Sequence, residues 1–193
     1  VVENKGTINA GTGIEVKLEG INETTTPTIK IINSGTINNS SGTAIASSAE
    51  NYSGGVGIAL SANTNGTVAN NYNVTIENSG TINTGDSKGS GILGLHNELT
   101  TISSTTETIT NLNSGIINGT IDALWGATDE KNGATIINSG KIYSKRAYTS
   151  IVSGKKITNL SSGTIEYEAD MNDYLFSGNP LTSHISGLTN IYN

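Results

Sequence analysis

A few residues of this chain have the types and spacing that catalysis would need. The run TGDSKGSG at 84–91 places Ser87 directly after an aspartate, a setting in which a serine can act as a nucleophile. A serine nucleophile also needs a base and an orienting acid. Lys88 interrupts the Gly-Asp-Ser-Gly order, and no second motif around His96 or His184 supplies those partners. We interpret the run as a polar turn between two strands.

A second candidate is a group of charged residues that could cleave an acidic polysaccharide, provided that carboxylates and Lys or Arg share one face. Its members are Asp122, Asp129, Glu130, Lys145, Arg146, Lys155 and Lys156. No two carboxylates recur at a fixed offset, so solvated surface charges explain the pattern more simply. The glycines follow Asn-Ser pairs instead of flanking an aspartate as calcium-binding repeats require. The sequence therefore predicts no enzyme, no metal site and no cofactor.

Irregular stretches between the regular ones support binding better than catalysis, because loops on a rigid scaffold can vary without disturbing it. Four such stretches lie at residues 46–55, 63–73, 96–107 and 126–133. The candidate contacts to a ligand or partner are Tyr52, Tyr72, Trp125, Asp129, Glu130 and Lys131. Trp125, the only tryptophan, could stack on a sugar or receive a protein side chain at the rim of the last stretch. The alternative is that Trp125 packs in the core. The alternation does not decide between the two, because Ile121, Ala123 and Trp125 share one side of the strand while Asp122 and Leu124 share the other.

The elements that would position these residues are indicated by a short repeated phrase. It reads IINSGTIN at 31–38, IENSGTIN at 76–83 and IINSGKIY at 136–143. Six copies align on glycines with spacings of 29, 45, 35, 25 and 23 residues, namely Gly6, Gly35, Gly80, Gly115, Gly140 and Gly163. Apolar residues alternate with period 2 within the phrase, and β-branched residues flank it, as strands prefer. A second apolar group follows each turn, so each unit carries at least two strands.

Units of this length are too small to bury their apolar side chains alone, which points to stacking. If each unit forms one coil, equivalent residues lie about 4.8 Å apart in rows along the stack. An amide side chain has donors and an acceptor, so a row of asparagines could hydrogen bond along it. We expect that row to contain Asn4, Asn33, Asn78, Asn113 and Asn138, and to be interrupted at Ser161. The following glycine is expected to supply a backbone conformation that residues with a β-carbon resist.

Composition is consistent with a folded, narrow-cored protein that does not bind nucleic acid. Hydrophobic residues make up 34% and charged residues 13% of the chain, so it lacks the charge that keeps segments disordered. The formal net charge of -6 has the wrong sign for binding phosphates. No apolar run is long enough to span a membrane, and the first residues do not form a signal peptide. Both chain ends match the phrase, so we expect residues 1–193 to be a single segment of a longer array.

The repeated NSGTIN phrase, followed by a GI or GIxL strand, resembles the passenger regions of bacterial type V autotransporters. The likeness covers nearly the whole chain and is closest to large Asn-rich adhesins of the fusobacterial type. It implies an all-β, right-handed parallel β-helix, which at this length would have about seven coils with irregular loop insertions. It also implies export to the bacterial surface through a carboxyl-terminal barrel, which this sequence does not contain.

We expect the segment to belong to a surface-exposed or secreted adhesin that contacts a host-cell protein or glycan, with neighbouring coils of the same passenger as its other partners. A structural spacer that holds a more distal binding tip away from the membrane is the first alternative. A polysaccharide-degrading enzyme and a toxin passenger are the others.

Overall fold

The computed structural model describes residues 1–18, 26–39, 55–62, 72–85, 89–94, 106–122, 134–144, 151–167 and 185–192. Every regular element in this part of the chain is a β-strand. In chain order the strands are β1 (Val2–Asn4), β2 (Thr7–Ala10), β3 (Thr12–Leu18), β4 (Thr28–Asn33), β5 (Thr36–Asn39), β6 (Val56–Ala62), β7 (Asn73–Asn78), β8 (Thr81–Asn83), β9 (Ser90–Leu93), β10 (Thr106–Asn111), β11 (Ile116–Asn118), β12 (Thr120–Asp122), β13 (Ala134–Asn138), β14 (Lys141–Ser144), β15 (Ile151–Asn159), β16 (Thr164–Tyr167) and β17 (Ile185–Tyr192).

The strands form three parallel sheets, and the chain visits them in a fixed order. The first sheet contains β1, β4, β7, β10, β13 and residues 156–159 of β15. The second contains β2, β5, β8, β11, β14 and β16. The third contains β3, β6, β9, β12 and the first residues of β15, which therefore continues from the third sheet into the first. Strand β17 pairs along β15 in the same way.

One strand from each sheet makes one coil, and the next coil stacks on it in register. The structure thus confirms the expected all-β parallel β-helix. A right-handed sense is the one that parallel crossover connections adopt almost without exception. The number of coils stays a prediction, because the described residues do not include every connection.

Rows of isoleucine fill the interior of the coils. The alternation of the phrase turns every second residue inward, and the register places those residues above one another. Fully buried members are Ile31, Ile76, Ile109, Ile136 and Ile157 in the first sheet, Ile37, Ile82, Ile117 and Ile142 in the second, and Ile58, Ile92, Ile121 and Ile151 in the third. Each contributes about 1.5–3 kcal/mol by leaving water.

A row of asparagine side chains, the inner amide row, runs through the same interior where the first sheet ends. Each Nδ2 donates to the Oδ1 of the asparagine in the next coil at 2.8–2.9 Å. The row comprises Asn4, Asn33, Asn78, Asn111, Asn138 and Asn159. Nδ2 also reaches backbone carbonyls, as in the 3.2 Å bonds from Asn111 to the carbonyls of Gly115 and Lys141.

The expected membership of this row is wrong at two places. Asn113 is exposed, and Asn111 takes its position; likewise Asn159 continues the row that Ser161 was expected to interrupt. In these two coils the turn after the row asparagine is two residues longer, NLNSG and NLSSG instead of NSG. Hydrogen bonds from Gly115 N to the Leu112 carbonyl and from Gly163 N to the Leu160 carbonyl close the longer turns. Alignment on the glycines therefore shifted the asparagines by two positions.

Five of the six glycines of the phrase, all except Gly6, are required by close packing and not by an unusual backbone conformation. Among the described glycines, only Gly55 has a positive φ, 78°. A β-carbon at Gly80 would instead collide with the carbonyl oxygen of Gly35 in the preceding coil. In the third sheet, a β-carbon at Gly57 would meet the side chain of Ile82 and the carbonyl oxygen of Gly91. Hydrogen requires less room than any side chain, so these positions let neighbouring backbones approach.

Asn111→Ala should destabilise the protein strongly, whereas Asn113→Ala should not. The first change removes the side-chain acceptor of the Asn78 Nδ2 group, which keeps only its longer bonds to backbone carbonyls, and the side-chain donor to the Oδ1 of Asn138, both in the buried interior. Each buried group left unsatisfied costs about 1–3 kcal/mol. Asn113 is exposed, so its truncation should stay within about 0.5 kcal/mol.

Urea unfolding followed by circular dichroism measures both free energies of unfolding, with the Asn113 variant as the matched control in the same turn. Equal midpoints for the two variants would contradict the position of Asn111 in the row.

Candidate functional site

Most of the residues expected to contact a ligand lie outside the described residues. These are Tyr52, Trp125, Asp129, Glu130 and Lys131, together with Ser87, Lys145 and Arg146 from the two catalytic candidates. Their roles stay predictions.

Tyr72 is an exception, because the structure describes it and shows it buried; its contact with a partner stays a prediction. It immediately precedes β7, and only 3% of its surface is exposed. Its side chain belongs to the main hydrophobic cluster, with Val74 and Ile76 of the same strand. An aromatic ring that is buried in this way stabilises the stack.

The charged group proposed for polysaccharide cleavage does not share one face in the described part of the chain. Asp122 lies on β12 in the third sheet, in register with Leu93, and is 3% exposed. Lys156 is exposed on the first sheet, in register with Thr135. No group of three His, Cys, Asp or Glu side chains that could hold a metal ion occurs among the residues that the structure describes.

Glu107 is a buried carboxylate that the sequence reasoning missed. It is 1% exposed and lies in register with Val74 and Ala134, in a row of inward positions. The period-2 alternation of TETITN at 106–111 contained the signal, since Glu107 has the same parity as the core residue Ile109.

The outer face of the second sheet carries a second row of asparagines, which we call the outer amide row. Its members are Asn9, Asn38, Asn83 and Asn118. Each Nδ2 donates to the Oδ1 of the asparagine in the preceding coil, at 3.0, 2.8 and 2.7 Å along the chain. The donor direction is therefore opposite to that of the inner amide row. Asn9 is exposed and the other three are partly exposed.

The sequence contained a signal for this row as well. The last residue of the phrase NSGTIN is an asparagine one position after the buried isoleucine, so alternation turns it outward.

The outer face of the second sheet carries further side chains beside the outer amide row. A parallel outward row, two residues earlier on each strand, begins with Thr7, Thr36 and Thr81 and continues with Ile116 and Lys141. In the next coil the outer amide row is continued by Tyr143, which is in register with Asn118 and partly exposed. The Nζ atom of Lys141 lies 5.5 Å from the centroid of the Tyr143 ring. The same ammonium group lies 3.6 Å from a carboxylate oxygen of Glu166.

The outer face of the first sheet differs in carrying more charge. Lys30 and Glu77 form an ion pair of 2.9 Å between adjacent coils. Thr75, Thr108 and Thr135 stand in one outward row beside it. Exposed ion pairs of this kind contribute at most about 1 kcal/mol, so this pair has a small effect on stability.

The chain matches no family model, and searches of curated proteins and of solved structures returned no significant match. Among the described residues there is no helix of the length and apolarity that a membrane span requires. In the part of the chain that the structure describes, the outer faces of the first and second sheets carry polar side chains that can form hydrogen bonds.

Tyr72→Ala should lower the free energy of unfolding by about 3–5 kcal/mol, the cost of truncating a large aromatic side chain in a core. Tyr143→Ala is the matched control, because that ring lies on the outer face and is partly exposed. Thermal and urea unfolding of both variants measure the difference. If Tyr72→Ala loses no more stability than Tyr143→Ala, the burial of Tyr72 would be contradicted and its ring would be available to a ligand.

Proposed function

We propose that this chain is a β-helical segment of a surface-exposed bacterial adhesin that contributes to binding of a host-cell protein or glycan. The autotransporter resemblance of the repeated phrase supports this class, and the parallel β-helix is the fold that the resemblance implies. The proposed location is the bacterial cell surface or the secreted passenger. The proposed role is binding without catalysis.

The supporting observation is a scaffold that stays constant while the connections change in length. Successive members of the inner amide row are separated by 29, 45, 33, 27 and 21 residues, yet all of them make the same hydrogen bond. The longest interval is 45 residues and the shortest is 21 residues, a difference of 24 residues. A fold that tolerates such variation can present different binding segments on one frame.

The hydrogen-bonded stack also explains how such a segment would be effective in binding. Parallel strands that pair in constant register in the first and second sheets restrict the frame, so little conformational entropy of the frame is lost when a partner binds. A spacer would use the same rigidity without binding anything, which is why the two roles must be separated by experiment.

Flow cytometry of the labelled chain on human epithelial and lymphoid cells tests the proposal. We expect saturable binding to at least one cell type, reduced in a variant that lacks residues 127–132. A variant that lacks the six residues 20–25 is the matched control, since it removes the same number of residues from a stretch outside the four binding candidates. Circular dichroism and melting curves establish that all three proteins are folded.

Two outcomes would contradict the adhesin proposal. Absence of binding by the folded chain on every cell type would favour the spacer. Release of product from an acidic polysaccharide would instead make the chain an enzyme.

A further inference from the structure

The outer amide row retains hydrogen-bonding capacity that faces solvent. Asn38 donates one Nδ2 hydrogen to Asn9 and accepts one bond at Oδ1 from Asn83. An amide side chain has two N–H donors and two lone pairs on its oxygen. Asn38 therefore keeps one donor and one acceptor for a ligand, and Asn83 does the same between Asn38 and Asn118.

The remaining donors and acceptors recur at a regular spacing from strand to strand. The register between the strands of the second sheet does not shift from β2 to β14. At about 4.8 Å per strand, the distance from Asn9 to Tyr143 is roughly 19 Å. A linear ligand lying along the stack would meet the same pair of groups at each coil.

Charge on this face selects the kind of ligand. The outward positions of β2, β5, β8 and β11 are threonine, asparagine and isoleucine, without an ionisable group. The first ionisable side chains, Lys141 and Glu166, belong to the following coils and form an ion pair with each other. A charged polymer would lose hydration here without gaining an opposite charge, and the net charge of -6 further disfavours anions. A neutral polyhydroxylated chain would exchange water for amide partners at little cost.

Tyr143 adds an apolar platform in line with the amides. It takes the position of the row asparagine in its coil, directly above Asn118 in register. A tyrosine ring offers an apolar body and a polar tip, which suits the C–H face and hydroxyl groups of a sugar ring. The Nζ atom of the neighbouring Lys141 lies over this ring, 5.5 Å from its centroid, within the range in which a cation is attracted to an aromatic face.

We propose that the outer face of the second sheet binds a neutral glycan, which lies along Asn9, Asn38, Asn83 and Asn118 and stacks on Tyr143. This inference rests on the proposed adhesive function and names both the site and the ligand class. It differs from the sequence expectation, which placed binding in the connections.

We expect changes on this face to cost less stability than changes in the interior, so that the site can be altered in a folded chain. The amides of the outer row are partly or fully exposed and their hydrogen bonds compete with water, whereas the inner amide row is largely buried. The test variants are the double change Asn38→Ala/Asn83→Ala and the single change Tyr143→Ala. The matched control is Thr108→Ala/Thr135→Ala, which truncates two outward residues of adjacent coils on the first sheet.

The experiment applies the unaltered chain and the three variants to immobilised neutral and acidic glycans, and to the cells that the unaltered chain binds. Melting curves verify folding of each protein. We expect the chain to bind neutral glycans, with binding at least tenfold weaker in the amide double variant and in Tyr143→Ala, and unchanged in the threonine control. Soluble neutral glycan should displace the chain from cells.

Binding to acidic glycans alone, binding to no glycan, or equal binding by the amide double variant would each overturn the inference. If cell binding persists in those cases, the adhesive function stands and the glycan site fails. If neutral glycans bind as expected but no cell does, the site stands and the adhesive function fails.

Discussion

The hydrogen bond between one asparagine side chain and the next, repeated along the inner amide row, is the interaction on which this structure depends. A polar group in the dry interior of a narrow coil is costly unless it is satisfied. Strands about 4.8 Å apart bring the Nδ2 of Asn78 within 2.8 Å of the Oδ1 of Asn111, so each coil satisfies the polar group of its neighbour. A coil can join the row only if its first-sheet strand ends at the level of its neighbours. The row therefore fixes the end of that strand in every coil, while the number of residues between successive row asparagines can vary.

The two amide rows consist of the same side chain in different surroundings, largely buried in the inner row and partly or fully exposed in the outer row. In the inner row the second N–H of each amide is also satisfied, as when Asn138 donates to the Thr164 carbonyl at 3.1 Å. In the outer row the Nδ2 of Asn83 makes one hydrogen bond to a described residue, the 2.8 Å bond to Asn38, and its second N–H can bond to solvent or a ligand. The donor directions are opposed, towards the carboxyl-terminal coils inside and towards the amino-terminal coils outside. The amide dipoles of the two rows therefore point in opposite directions along the axis of the stack.

Sequence reasoning predicted the fold because the period-2 alternation and the repeat both report backbone geometry directly. Asn33 and Asn78 were placed in the row correctly for the same reason. Asn111 was missed because the glycine was used as the reference point, and a turn can lengthen between the asparagine and the glycine without changing either. The burial of Tyr72 was not predicted, because the residue follows a polar stretch while its side chain packs with the strand that comes after it. The outer row was visible in the alternation, but its hydrogen bonds require the register between coils, which one sequence does not state.

Hydrogen exchange of the asparagine side-chain amides, followed residue by residue by NMR, tests this account most directly. If the inner row holds the stack, the Nδ2 hydrogens of Asn33, Asn78, Asn111 and Asn138 should exchange as slowly as the backbone amides of the central strands. Those of Asn38 and Asn83 should exchange at rates close to a free side chain. Fast exchange at all six positions would contradict the account, because the interior hydrogen bonds would then not form the constraint on which the coils depend.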